Sequence, residues 1–164
     1  GRIPTANGYR YYVDHAMTTQ KPTKKLKDVF KKIEKEESDK RVRLKMLGKI
    51  ENNHVANAVI IEFNKDSLYY TGIGNLFAQP EFQNYQYTVN VSSLFDRCED
   101  IIDSVYDAVQ EETIVLIGEE NPFGSVCSLV STPFGDDGLM SVLGPLRMEY
   151  GKIIQILNHV HTLV

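Results

Sequence analysis

The chain has 164 residues, 42% hydrophobic and 24% charged, which are the proportions of a globular protein with one core of ordinary size. No apolar run approaches the roughly 20 residues a bilayer span needs, and no charged-then-apolar leader opens the chain, so a cytoplasmic protein without membrane contact is expected. The net charge of −4 is unevenly divided: residues 1–50 carry 14 Lys/Arg against 6 Asp/Glu, while residues 51–164 carry 4 against 16.

Gly1 opens the chain without an initiator Met, as if a longer motif had been cut. Pro4 fixes one backbone angle and Asn7-Gly8 has turn chemistry, which predicts a small aromatic hairpin over residues 1–13 with Arg2 and Arg10 on its two arms. Such an arm suits a polyanion, or is an ordinary basic extension. Thr18 to Thr23, with Pro22, reads as a linker or helix entry. Leu26, Val29, Phe30 and Ile33 then recur at helical spacing from Lys24 to Glu37, and Ser38 can cap a second helix carrying Val42, Leu44, Met46, Leu47 and Ile50. The two form a helical hairpin or one long helix, and their apolar stripes need a sheet or a second subunit to cover them. Their lysines are either a face that approaches phosphate or the solvated side of ordinary surface helices.

The β-branched run Val55 to Phe63, a turn at Asn64-Lys65-Asp66 and a return over Ser67 to Ile73 predict a strand pair. Ser92 or Ser93 is placed to cap a helix reaching Gln110, with Leu94, Cys98, Ile101, Ile102, Val105, Tyr106 and Val109 on one face. Three strands follow, Thr113–Gly118, Val126–Thr132 and Leu139–Gly144. The first and last are apolar enough to be central, and Gly135-Asp136-Asp137-Gly138 turns between the second and third. Pro145 suits the first turn of a closing helix bearing Met148, Ile153, Ile156, Leu157, Val160 and Leu163. The order predicts an α+β fold, with helices packed on a mostly antiparallel sheet.

Chemistry-bearing patterns are sparse. Glu119 and Glu120 are adjacent at a strand end, where neighbouring side chains diverge, so they make a poor acid/base pair. Ser and His residues fall in unrelated contexts and assemble no triad, so no catalytic residue is assigned and an enzyme is not expected. His159 and His161 point apart on a helix and cannot share a metal, and Cys98 and Cys127 lack paired spacing, which assigns both to the core. Gly72-Ile73-Gly74 lacks the rest of a dinucleotide loop. Arg147, between Leu146 and Met148, needs a carboxylate, and Glu119 or Glu120 is the expected partner. The alternative is an anion pocket made of Arg147 and the N–H groups of the closing helix.

Several stretches together resemble the HrcA-type heat-shock repressors. Gly1-Arg2-Ile3-Pro4-Thr5 and Gly8-Tyr9-Arg10-Tyr11-Tyr12-Val13-Asp14 look like the family's link from its winged-helix domain. Tyr70-Thr71-Gly72-Ile73-Gly74-Asn75-Leu76-Phe77-Ala78-Gln79-Pro80-Glu81-Phe82, Ile117-Gly118-Glu119-Glu120-Asn121-Pro122, Cys127-Ser128-Leu129-Val130 and Gly144-Pro145-Leu146-Arg147-Met148-Glu149-Tyr150 are similar to later family motifs. The resemblance covers 1–14 and 67–160 well and 15–66 poorly. It implies a GAF-like domain over 54–164, preceded by the end of a wing and a linker over 1–22 and a basic helical segment over 23–53. It further implies a repressor of chaperone genes that binds a double-stranded DNA operator with an inverted repeat as a homodimer, assisted by a GroEL-type chaperonin, with no cofactor. Arg2, Thr5 and Arg10 are then backbone-contact candidates, and Gly118, Glu119, Asn121, Gly144, Pro145, Arg147 and Tyr150 a structural cluster or effector pocket. Only 56 residues separate Val13 from Tyr70, so the inserted subdomain of longer members is expected to be missing, and Leu146 stands where the family has Thr. A stand-alone small-molecule sensing or interaction module is the competing reading.

Overall fold

The computed structural model describes residues 2–18, 21–64, 67–109 and 112–164. Lys65 and Asp66 of the expected turn, Gln110 at the expected helix end, and the His161 side chain lie outside what is described.

Five strands, β1 (Ala58–Asn64), β2 (Ser67–Thr71), β3 (Ile114–Ile117), β4 (Cys127–Phe134) and β5 (Gly138–Pro145), pair antiparallel throughout in the order β2-β1-β5-β4-β3. This is the α+β, GAF-like sheet that the resemblance implies. Helices cover both faces, so β1 and β5 are apolar at consecutive positions and sort their side chains by alternation. Val59, Ile61, Met140 and Val142 enter one core, and Ala58, Ile60, Leu139 and Leu143 the other. Each fully buried Ile or Leu contributes about 2 kcal/mol relative to exposure. Within the sheet the buried Ser131 Oγ and Ser141 Oγ satisfy one another at 2.7 Å.

The first core is closed by α2 (Lys24–Glu36), α3 (Lys40–Val55), α7 (Tyr150–Leu157) and α8 (Val160–Leu163). Leu26, Phe30, Ile33, Leu44 and Leu47 belong to that same core, so the basic helical segment packs directly on the sheet. Thr23 caps α2 by accepting the Leu26 N–H at 3.3 Å. Asp39 caps α3, its carboxylate taking the Arg41 and Val42 N–H groups, and it displaces Ser38 from the expected role because a carboxylate is also favoured by the helix dipole. The second core lies under α4 (Ile73–Phe77), α5 (Tyr85–Phe95) and α6 (Cys98–Ala108).

Four sequence expectations are corrected. The N-terminal hairpin is instead α1 (Ala6–Tyr11) followed by a π-helical turn at Tyr12–Ala16, because Thr5 accepts the Gly8 N–H at 3.2 Å and puts Asn7-Gly8 inside a capped helix. The single helix from Ser92 is two. Asn84 caps α5 well upstream, while the Ser92 and Ser93 hydroxyls donate back to Val89 and Asn90 carbonyls. β3 is an edge strand, apolar because the N-terminal arm and the flanking helices shield it. Pro145 ends β5 opposite Cys127, and the closing helix begins only at Tyr150.

Candidate functional site

The N-terminal arm lies over the exposed edge of the sheet, and its docking is built from a few residues. Ala6, Tyr9, Val13 and Met17 turn their apolar sides to the first core. Arg10 of α1 reaches across the edge. Its guanidinium donates to the Glu120 carboxylate, to the Val115 carbonyl of β3 at 2.5 Å and to Asp14 at 3.3 Å, while its buried Nε has no hydrogen-bond partner among the described residues. Glu120 also accepts the Ile117 N–H at 3.1 Å, which ties the clamp to the end of β3. Burial pushes the Glu120 carboxyl up, but hydrogen bonds from Arg10 and Ile117 and the Arg10 charge outweigh it and hold the group below its usual range.

Gly118 sits beneath α1 in the left-handed region at φ 63°, and a Cβ there would lie 2.9 Å from the Ala6 Cβ. Both constraints demand glycine. The arm and the sheet edge enclose a polar cleft of about 500 Å³ lined by Thr5, Ala6, Asn7, Arg10, Ile117, Gly118, Glu119, Glu120 and Ser125. Beside it is a smaller apolar groove of about 240 Å³, lined by Ile3, Pro4, Tyr9, Glu81, Tyr87, Ser125, Val126, Leu146 and Arg147.

The structure divides the residues singled out from sequence. Gly118 and exposed Glu119 line the polar cleft. Buried Asn121 accepts the Phe123 N–H at 3.0 Å and shapes the following turn. Gly144 is held close, since a Cβ would meet Asn57 Oδ1 and Met148 Sδ at 2.5 Å. Tyr150 is buried, its hydroxyl 2.8 Å from Ser128 Oγ and donating to the Leu146 carbonyl, and burial pushes it up to about 12. Arg147 contradicts its expected pairing. Its side chain is 46% exposed and binds Glu81 at 2.5 and 3.1 Å and Gln79 at 2.9 Å, so neither Glu119 nor Glu120 is its partner. The closing helix starts too late to offer Arg147 its first N–H groups. Of the backbone-contact candidates, Arg2 and Thr5 are exposed, Thr5 capping α1, whereas Arg10 is committed to its carboxylates.

Sequence reasoning missed Glu120 as the Arg10 partner and Glu81 as the Arg147 partner; both pairs are long-range and leave no local spacing. It also missed Glu51, which is buried in α3 with neither carboxyl oxygen hydrogen-bonded among the described residues. Reactive groups are subdued: Cys98 and Cys127 are buried free thiols, each pushed up to about 12 chiefly by burial. Among the described residues no His, Cys, Asp and Glu cluster could hold a metal, and no helix is long and apolar enough to cross a membrane.

Comparison with known proteins is informative over most of the chain. The family described as HrcA protein C terminal domain matches residues 13–154. The heat-inducible transcription repressor HrcA of Desulforudis audaxviator is 37% identical over 107 residues, covering 60% of this chain and 31% of that protein. That of Brevibacillus brevis is 30% identical over 101 residues, covering 58% of this chain and 29% of that protein. The matched stretch therefore spans less than a third of either relative's length. A crystal structure of a hypothetical protein superposes on 99% of this chain and 76% of its own with a TM-score of 0.73 at 12% identity, a likeness of fold.

Proposed function

The chain belongs to the family of HrcA C-terminal domains, and from that premise we propose that it is the effector and dimerisation part of a DNA-binding repressor of chaperone genes. The family match over residues 13–154 carries this reading. In it, a homodimer presents two winged helices to the half-sites of an inverted-repeat operator and blocks transcription while the body is folded. Heating depletes the folded form and releases the operator, and a GroEL-type chaperonin assists recovery, so folding itself is the sensor. The clamped arm supports the mechanical side of this scheme. The segment that resembles the link from the wing is fixed to the sheet edge by Arg10, Glu120 and the Ala6–Gly118 contact, so it holds its direction only while that edge is intact. Exposed Val42, Met46 and Tyr70, on adjoining α3 and β2, offer apolar surface for the dimer.

A competing role as a small-molecule sensor draws on the polar cleft beside Arg10, whose volume falls within the usual range for ligand pockets. One experiment separates the two. A longer protein with a winged helix ahead of Gly1 should be a dimer by light scattering at about 100 μM, well above ordinary dimer affinities. It should prefer an inverted-repeat duplex over a scrambled one by about 10³-fold or more. A strict monomer with no preference for any inverted repeat leaves only the sensing module.

A further inference from the structure

The layered fold gives the molecule two electrically opposite sides. On the first-core side, α2 buries Leu26, Phe30 and Ile33 and turns Lys24, Lys27, Lys31 and Lys35 outward, at the three- and four-residue intervals that align side chains along one helix face. All four are exposed. Along α2 the one ion pair among the described residues joins Lys32 to Glu36 at 3.9 Å, leaving the outer stripe without a carboxylate in ion-pair range. At 1.5 Å per residue the stripe is about 16 Å long, a span of helix axis over which each DNA strand carries about five phosphates at 3.4 Å of axial rise apiece. On the opposite side of the sheet, α6 presents exposed Glu99, Asp100, Asp103 and Asp107.

We propose that the lysine face of α2 is a sequence-independent contact surface for the phosphate backbone of duplex DNA, so that the body adds its own binding to that of any base-reading domain. The proposal deepens the repressor reading and rests on it for the identity of the polyanion. Charge complementarity selects the occupant. The stripe, flanked by exposed Asp28 and Glu34, keeps a net positive charge that gains from releasing the counterions condensed on a duplex, and the acidic layer behind it repels the same polyanion, so the molecule approaches DNA in one orientation. The N-terminal arm packs against the same core as α2, which places this face on the arm's side of the sheet. An array of surface lysines carries no donor–acceptor code, so its contribution is affinity without sequence preference.

The test uses this chain alone, with fluorescence anisotropy on a scrambled duplex across about 50 to 200 mM salt. The native chain should bind at the low end, with log K falling against log salt at a slope of about −3 to −4, as four phosphate contacts require. Lys24→Gln, Lys27→Gln, Lys31→Gln and Lys35→Gln combined should bring the slope close to zero and weaken low-salt binding about ten-fold or more, with an unchanged melting curve. The same four positions changed to Arg should keep binding, which separates charge from any helix defect. Absence of binding at low salt, or a quadruple Gln variant that binds as the native chain does, overturns the proposal. So does a stripe whose loss affects only binding to phosphatidylserine vesicles, or only low-salt self-association against the acidic side of a second copy. The operator experiment is independent: failure here leaves inverted-repeat preference intact, and loss of that preference leaves the salt slope of this chain unchanged.

Discussion

Glu51 is the residue most at odds with its surroundings. It is 0% exposed within α3, next to Gly48, whose packing against Ile61 and Val59 brings the helix down onto β1, and neither carboxyl oxygen has a hydrogen-bond partner among the described residues. Burial holds the carboxyl well above its ordinary value of 4.5. The folded state therefore retains a proton that the unfolded chain has released. The associated stability is complete below 4.5 and is lost as pH rises towards the raised folded-state value. Glu51→Leu should stabilise the protein at neutral pH by about 2 kcal/mol, the order of an unmet buried polar group, and remove that slope. Glu51→Gln should flatten the slope with less gain. Urea midpoints at about pH 5 and pH 8 check both, and a native protein equally stable at the two would contradict the argument.

Glu120 has the opposite sign. Its carboxyl is held low by Arg10, so its contribution is present above the ordinary 4.5 and is lost as pH falls through the depressed value. The pair is part-exposed, so Arg10→Ala should cost only about 1 kcal/mol globally. The local effect should be larger: amide exchange over Ala6–Tyr11 should accelerate while the β4 and β5 amides stay protected.

At the scale of elements, Gly118 is the joint between arm and sheet. Gly118→Ala meets two obstacles, a left-handed backbone at φ 63° and the Ala6 Cβ at 2.9 Å. It should cost about 1–2 kcal/mol for the backbone alone, and more where α1 is pushed away. Ala6→Gly placed in the same chain opens the space and should recover the α1 part of the loss, leaving the backbone part. Thermal melts of the two single variants and the double variant separate these contributions; simple additivity would show that Ala6 and Gly118 do not press on one another.

The same elements show what the sequence discloses. β1 and β5 are legible because strands covered on both faces are apolar at most positions, and their runs carry that mark, whereas β4 mixes Ser128, Ser131 and Thr132 with its apolar residues. The strength of the mark misplaces β3, because an apolar run records that something covers a strand, without recording whether another strand does. Tyr85 to Ser93 was invisible as a helix: Tyr85, Tyr87 and Val89 alternate with polar residues as in a strand, yet all three are exposed and only Val91 of the helix is buried. The arm's Asn7-Gly8 carries a turn signature that a capping Thr5 overrides. At the site, glycines and the Ser128–Tyr150 contact follow family motifs, whereas Arg10–Glu120 joins residues 110 apart in sequence and only the fold brings them together.

At the scale of the whole molecule, one sheet separates two cores, and each strand contributes to both. Neither helical layer can leave without exposing its face of the sheet, so the body should melt as one unit, with secondary and tertiary structure lost together. An upstream DNA-binding domain attached through the clamped arm would then lose its orientation over the same temperature interval. This links the residue scale to regulation. If folding is the sensor, a change that stabilises the body by about 2 kcal/mol should raise its midpoint by about 4 °C or more for a chain of this size. Glu51→Leu is suited to the measurement because Glu51 is fully buried in α3 and is neither a residue of the arm clamp nor one of the α2 lysines. In the longer protein it should shift the temperature of operator release by the same interval as the melting midpoint, without altering operator affinity at low temperature. Anisotropy of a labelled inverted-repeat duplex during a slow temperature ramp, read beside a circular dichroism melt of the same sample, gives both numbers. If the melting midpoint moves and the release temperature does not, heat acts on something other than the folding of this body.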